Sequence, residues 1–124
     1  MALRVIFAAG AMLLALVPLA RAEGDAQAGE AVFKKNCSVC HTTEEGKNKI
    51  GPSLHGIVGR HSASLPNFQY SEAMKSANKD WDPQNLDQYL SNPRGLVAGT
   101  KMIFAGLKNE PDRQNIIAYL ATQK

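Results

Sequence analysis

The sequence predicts an all-α domain, on three observations. Apolar residues recur at helical spacing behind recognisable caps. No segment keeps the two-residue alternation of a half-buried strand. Two long stretches rich in Gly, Pro, Ser and Asn separate the periodic ones. With no internal repeat, low-complexity tract or long linker, residues 23–124 read as one domain.

The first element is not part of that domain. Arg4, the apolar run Val5 to Ala20 broken by Gly10 and Pro18, and the A-x-A site Ala20-Arg21-Ala22 read as a secretory signal peptide over 1–22. Its apolar core is shorter than the roughly 20 residues a spanning helix needs. Cleavage leaves 102 of the 124 residues, with 12 Lys+Arg against 11 Asp+Glu, so the formal charge falls from +3 to +1. That balance gives no reason to expect nucleic-acid binding, and no membrane insertion is expected after cleavage.

Four helices follow. Asp25 is the expected N-cap of the first, which runs to about Asn36 with Gly29, Val32 and Phe33 at helical spacing. A short turn of helix is expected over Ser71 to Ala77. Asp82-Pro83 is an N-cap followed by Pro at the first helical position, with Leu86, Tyr89 and Leu90 on one face, and Asn92-Pro93 ends that helix. The last starts near Glu110-Pro111 and presents Ile116, Ile117, Tyr119 and Leu120. Between them, Thr42 to Tyr70 and Pro93 to Asn109 read as irregular, and loops this long need something to fold around.

The mature chain has 37 hydrophobic residues in 102, a thin supply for a small core. Exported domains often compensate with disulfides, but the only cysteines, Cys37 and Cys40, are too close together to staple distant segments. A cofactor is the remaining way to complete the core.

Cys37-Ser38-Val39-Cys40-His41 supplies the means. In C-x-x-C-H the two thiols add across the vinyl groups of a porphyrin, and the adjacent histidine is placed under the iron. Two other readings fit the residues less well. A redox dithiol is expected beside a βαβ pattern, which is missing, and structural zinc needs a second ligand pair. For the far side of the iron the candidates are Met102, in Gly99-Thr100-Lys101-Met102-Ile103-Phe104-Ala105-Gly106 between two helices, and behind it Met74, His55 and His61.

Further residues extend the pattern: Phe33, Lys49-Ile50-Gly51-Pro52-Ser53-Leu54-His55-Gly56, Gly59-Arg60, Phe68-Gln69-Tyr70, Trp81, Tyr89-Leu90, Asn92-Pro93, and Ile117-Ala118-Tyr119-Leu120. With these, Gly24 to Gln123 resembles the soluble class I cytochromes c, of the mitochondrial type and its bacterial photosynthetic and respiratory relatives. The resemblance implies four to five short helices around one covalently attached haem c per chain, with first and last helices crossing through Gly29, Phe33, Ile116 and Tyr119. It implies thioether bonds at Cys37 and Cys40 and axial ligation by His41 and Met102. It also implies that the Pro52 carbonyl orients His41, that Tyr89 and Thr100 bond near the methionine, and that Arg60, Tyr70 and Trp81 surround a haem propionate.

Two departures stand out. Ala98 replaces the Pro common in mitochondrial members before Gly-Thr-Lys-Met, an exchange expected to loosen the loop. The basic face is thinner, keeping Lys35, Lys47, Lys49, Arg94, Lys101 and Lys108 but carrying Asn36, Gly95 and Asn109 where basic residues are common. The resemblance implies a monomeric periplasmic electron carrier, not an enzyme. It would serve redox proteins with acidic docking surfaces, between a cytochrome bc-type complex and a terminal oxidase or photosynthetic reaction centre. The alternative is a haem peroxidase or gas sensor with a displaceable sixth ligand.

Overall fold

The computed structural model describes residues 24–124; the signal-peptide expectation over 1–22 lies outside the described residues. Among these residues there are five helices: α1 (Ala26–Asn36), α2 (Glu72–Ala77), α3 (Pro83–Ser91), α4 (Pro93–Leu96) and α5 (Glu110–Ala121). No helix among them is long and apolar enough to cross a membrane.

Each helix starts where a short polar side chain can satisfy its free N–H groups. Asp25 accepts from the amides of Gln27 and Ala28, Ser71 from Met74, Asp82 from Asn85, and Asn109 from Asp112. Helix α4 corrects the expectation of an irregular stretch from Pro93. Asn92 closes α3 through its own N–H to the Gln88 carbonyl and caps α4 through its side chain on the Gly95 amide, with Pro93 at the first helical position. A residue expected only to end one helix therefore also begins another.

Helices α1 and α5 cross at van der Waals contact because α1 has no side chain at the crossing point. A Cβ on Gly29 would lie 1.9 Å from the Asn115 carbonyl oxygen and 2.7 Å from Tyr119 Cβ. The Asp25 amide donates to Asn115 Oδ1 at 2.8 Å, and the Phe33 and Tyr119 rings meet with centroids 5.7 Å apart. Ile116 is completely buried beneath this crossing, and Leu86, Trp81 and Tyr89 carry the core toward α3.

The long coil from Thr42 to Tyr70 is held by local bonds. Ser53 is buried and its hydroxyl donates to the Glu44 carbonyl, while the Leu54 amide donates to the Thr42 carbonyl at 2.8 Å. Residues 59–62 pair with 79–81 through Gly59 N–H to Trp81 O, Trp81 N–H to Arg60 O, and Ser62 N–H to Lys79 O. An isolated antiparallel bridge, His61 with Asp80, is the sum of β structure among the described residues.

Replacing Gly29 by Ala should force α1 and α5 apart and destabilise the fold by about 1–3 kcal/mol, the range for overpacking. A urea titration is expected to show a lower midpoint with an unchanged slope.

Candidate haem site

Helix α1 ends at Asn36 and delivers Cys37, Cys40 and His41 in a tight turn, with the Cys40 and His41 amides both donating to the Cys37 carbonyl. Both cysteines are free and half-buried. Burial pushes the Cys37 thiol up to about 11, with the neighbouring Cys40 adding to the shift. A thiol protonated at neutral pH is a poor nucleophile for disulfide exchange, which weighs against a redox dithiol.

The segment from Lys49 to Pro52 wraps this turn. The Gly51 amide donates to the Cys40 carbonyl at 2.8 Å, and the Lys49 ammonium donates to the Ser38 carbonyl. The His41 ring lies so close to Gly51 that a Cβ there would stand 2.3 Å from Cε1. His41 Nδ1 is 2.7 Å from the Pro52 carbonyl oxygen. A carbonyl only accepts, so Nδ1 carries the proton and the lone pair is left on Nε2. Burial holds the ring below its usual titration range, opposed by the Pro52 bond and helped by the Lys49 charge. The neutral ring is thus an oriented nitrogen donor.

Met102 is half-buried against the core in an irregular segment where exposure alternates: Lys101, Ile103 and Ala105 are exposed, Met102 and Phe104 half-buried, and the Phe104 amide turns back to the Met102 carbonyl at 3.1 Å. The loop carrying it rests on four consecutive residues. The Tyr89 hydroxyl is 2.8 Å from Thr100 Oγ1, which also accepts from the Met102 amide at 3.3 Å. The Leu107 amide donates to Leu90 O at 2.7 Å, the Lys108 ammonium to Ser91 O at 2.7 Å, and Asn92 caps the preceding turn of helix. Gly106, at φ +112°, permits that approach, because a Cβ would lie 2.2 Å from the Ser91 oxygen. Ala98 sits exposed in a turn closed by the Thr100 amide on Val97 O.

The other three candidates have contacts of their own. Met74 packs within α2 against the core. His55 Nδ1 bonds the Thr43 carbonyl at 3.2 Å, and His61 Nδ1 pairs with Asp80 at 2.7 Å on the surface.

Arg60, Tyr70 and Trp81 come together. Arg60 donates to the carbonyls of Ser53 and His55, Tyr70 lies against it, and the 59–62 pairing fixes Trp81, whose ring meets Tyr89 at 4.9 Å. Burial disfavours the Arg60 cation and the Tyr70 hydroxyl offsets part of that cost. Among the described residues Arg60 is bonded to carbonyls and has no carboxylate partner. A half-buried guanidinium of this kind fits an anionic group such as a propionate. Nitrogen donor, thioether, paired thiols and waiting cation together fit haem.

The family model for cytochrome c matches residues 26–124. The chain belongs to the cytochrome c family. Within that family it is 48% identical to cytochrome c of Stellaria longipes over 99 residues, covering 79% of this chain and 92% of the relative. It is 49% identical to cytochrome c2 of Rhodomicrobium vannielii over 105 residues, covering 84% and 83%. It is 50% identical to cytochrome c-type cyt cy of Rhodobacter capsulatus, of which it spans 49%. Cytochrome c family proteins carry one covalently attached haem c, and Cys37 and Cys40 here fit its attachment motif. Family membership supports electron transfer through haem as the function.

Sequence reasoning missed the behaviour of the basic residues. Besides Lys49 and Lys108, Lys47 pairs with Glu44 at 2.8 Å, and Lys101 donates to the Gln69 carbonyl while standing 4.6 Å over the Phe68 ring. Apart from Lys47, whose partner is three residues away, these contacts join segments up to 32 residues apart and leave no mark in local sequence. Among the described residues, Lys35 and Arg94 have no such partner.

Burial raises the Tyr89 phenol above its ordinary 10.0, with the Thr100 bond pulling the other way. The folded chain therefore keeps a proton that the unfolded chain releases. This part of the stability is whole below pH 10.0 and is lost as pH rises through the folded value. In Tyr89→Phe the alkaline loss should be shallower, and neutral stability lower by about 1 kcal/mol, in urea titrations at stepped pH.

Proposed function

We propose that the chain is exported through residues 1–22, that 23–124 form the mature domain, and that it works in the periplasm as a one-electron carrier rather than an enzyme. The observation that carries this reading is the His41–Pro52 hydrogen bond, which leaves Nε2 as an oriented, neutral donor next to the attachment cysteines. Bound haem c supplies one electron by cycling between ferric and ferrous iron. Cys37 and Cys40 would tether it, His41 and Met102 would hold its iron, and Arg60 with Tyr70 and Trp81 would receive a propionate. A thioether opposite an imidazole is the pair associated with raised potentials in cytochromes c.

With the iron held by both His41 and Met102, no coordination site would be left for a substrate, and the work proposed is electron transfer between redox proteins. A cytochrome bc-type complex is the proposed donor, and a terminal oxidase or photosynthetic reaction centre the proposed acceptor. Weak redox encounters use small interfaces, and the basic residues, Lys35 and Arg94 above all, would steer acidic partners.

Haem should stay with the chain through acid–acetone extraction, and the native reduced form should resist carbon monoxide. Met102→Ala should bind carbon monoxide readily and show a lower reduction potential. An unchanged spectrum in that variant would reject Met102 as ligand. Carbon monoxide binding by the native reduced form would favour the sensor or peroxidase reading.

A further inference from the structure

Between Met102 and the start of α5 the chain has little order of its own. Among the described residues, 103–106 make one backbone hydrogen bond, from the Phe104 amide to the Met102 carbonyl at 3.1 Å. The anchorage of the methionine segment on its C-terminal side therefore lies at Leu107 and Lys108. The Leu107 amide and the Lys108 ammonium reach carbonyls of α3. The carbonyls of the same two residues are both taken by Arg113, at the end of the first turn of α5.

Arg113 Nη1 donates to Leu107 O at 2.9 Å and to Lys108 O at 3.1 Å, while Nε donates to Asp87 Oδ1 on α3 at 2.7 Å. The Arg113 side chain is only 12% exposed, so water competes little for these bonds. Gln114 Nε2 donates to the same Asp87 oxygen at 3.2 Å and helps to turn the carboxylate toward α5. One planar group thus joins α3, α5 and the exit of the methionine segment. An ion pair between helices would need the carboxylate alone, yet two of the three bonds go to carbonyls of the loop. The rigid fork of donors, which a lysine ammonium lacks, lets one side chain face all three acceptors together.

We propose that Arg113 is a positioning residue for the far side of the iron: by fixing the Leu107 and Lys108 carbonyls against α3 it keeps the Met102 sulfur in place. This rests on the reading of Met102 as a ligand and deepens it. Without the guanidinium, the segment after Met102 hangs from the Leu107 amide and the Lys108 ammonium alone. The fold persists, and the sulfur leaves its position more often.

Carbon monoxide reaches reduced iron while the sulfur is away, so its uptake by reduced holoprotein at saturating gas reads the opening of the loop. Met102→Ala sets the open limit. Arg113→Met should take up carbon monoxide about tenfold faster than wild type, equivalent to about 1.4 kcal/mol. Asp87→Asn separates positioning from stability. Both hydrogen bonds to Asp87 use Oδ1, so an amide oxygen there keeps them while the charge is lost. Its midpoint in a urea titration should fall, yet its uptake should stay within about twofold of wild type because the bonds persist.

A wild-type rate in Arg113→Met would overturn the proposal. So would uptake that merely follows stability, with Asp87→Asn as fast as Arg113→Met. Should Arg113→Met yield no holoprotein, Arg113→Lys decides, since it keeps a cation for Asp87 but not the fork: uptake at least about threefold faster supports the proposal, and a wild-type rate overturns it. A fast Met102→Ala beside unaltered Arg113 variants rejects the positioning role alone. Met102→Ala that is no faster than wild type rejects the ligand reading, and the positioning role with it.

Discussion

The crossing of the first and last helices at Gly29 is the constraint on which the rest depends. It joins residues some 90 positions apart and fixes the direction in which α1 ends. Where α1 ends decides where Cys37, Cys40 and His41 emerge. Where α5 begins decides the far anchor of the Met102 loop. One missing methyl group therefore sets the distance between two backbones and, through them, the frame of the site. A conformationally freer residue inside a helix costs about 1 kcal/mol relative to Ala, and close packing of Ile116 and the Phe33–Tyr119 pair outweighs it.

Between the helices, order comes from hydrogen bonds more than from apolar burial. Thr42, Ser53, Asn48 and Lys49 all direct side-chain donors or acceptors to backbone groups of neighbouring coil. A thin hydrophobic supply makes this necessary, because coil cannot be buried with its amides and carbonyls unpaired. The same need explains the lysines. An ammonium bound to a carbonyl both ends a strip of coil and keeps its charge at the surface, so residues that look like an electrostatic face also act as ties.

The helices were legible because their signals are local. Asp25, Ser71, Asp82-Pro83 and Glu110-Pro111 mark starts within a few residues of themselves, and the apolar faces repeat at helical spacing. C-x-x-C-H announced the haem because its chemistry is compressed into five residues. Helix α4 was hidden because Asn92-Pro93 is at once a stop signal and a start signal, and only the folded chain reveals that both are used. The closeness of Gly51 to His41, the ties from Lys101 and Lys108, and the Arg113–Asp87 ion pair at 2.7 Å were illegible for a common reason. They depend on which coil lies over which, and pattern in a single strand of sequence carries no record of that.

The footing of the Met102 loop has a mechanical consequence. Its entry, middle and exit stand on Asn92, Tyr89, and Leu90 with Ser91, the last turn of one helix and its cap. A loop whose supports belong to a single rigid body cannot be sheared by motion between bodies, since all its feet move together. For the carrier proposed above, with Met102 on the iron, that footing would mean a small reorganisation energy, because the sulfur would have little room to shift when an electron arrives.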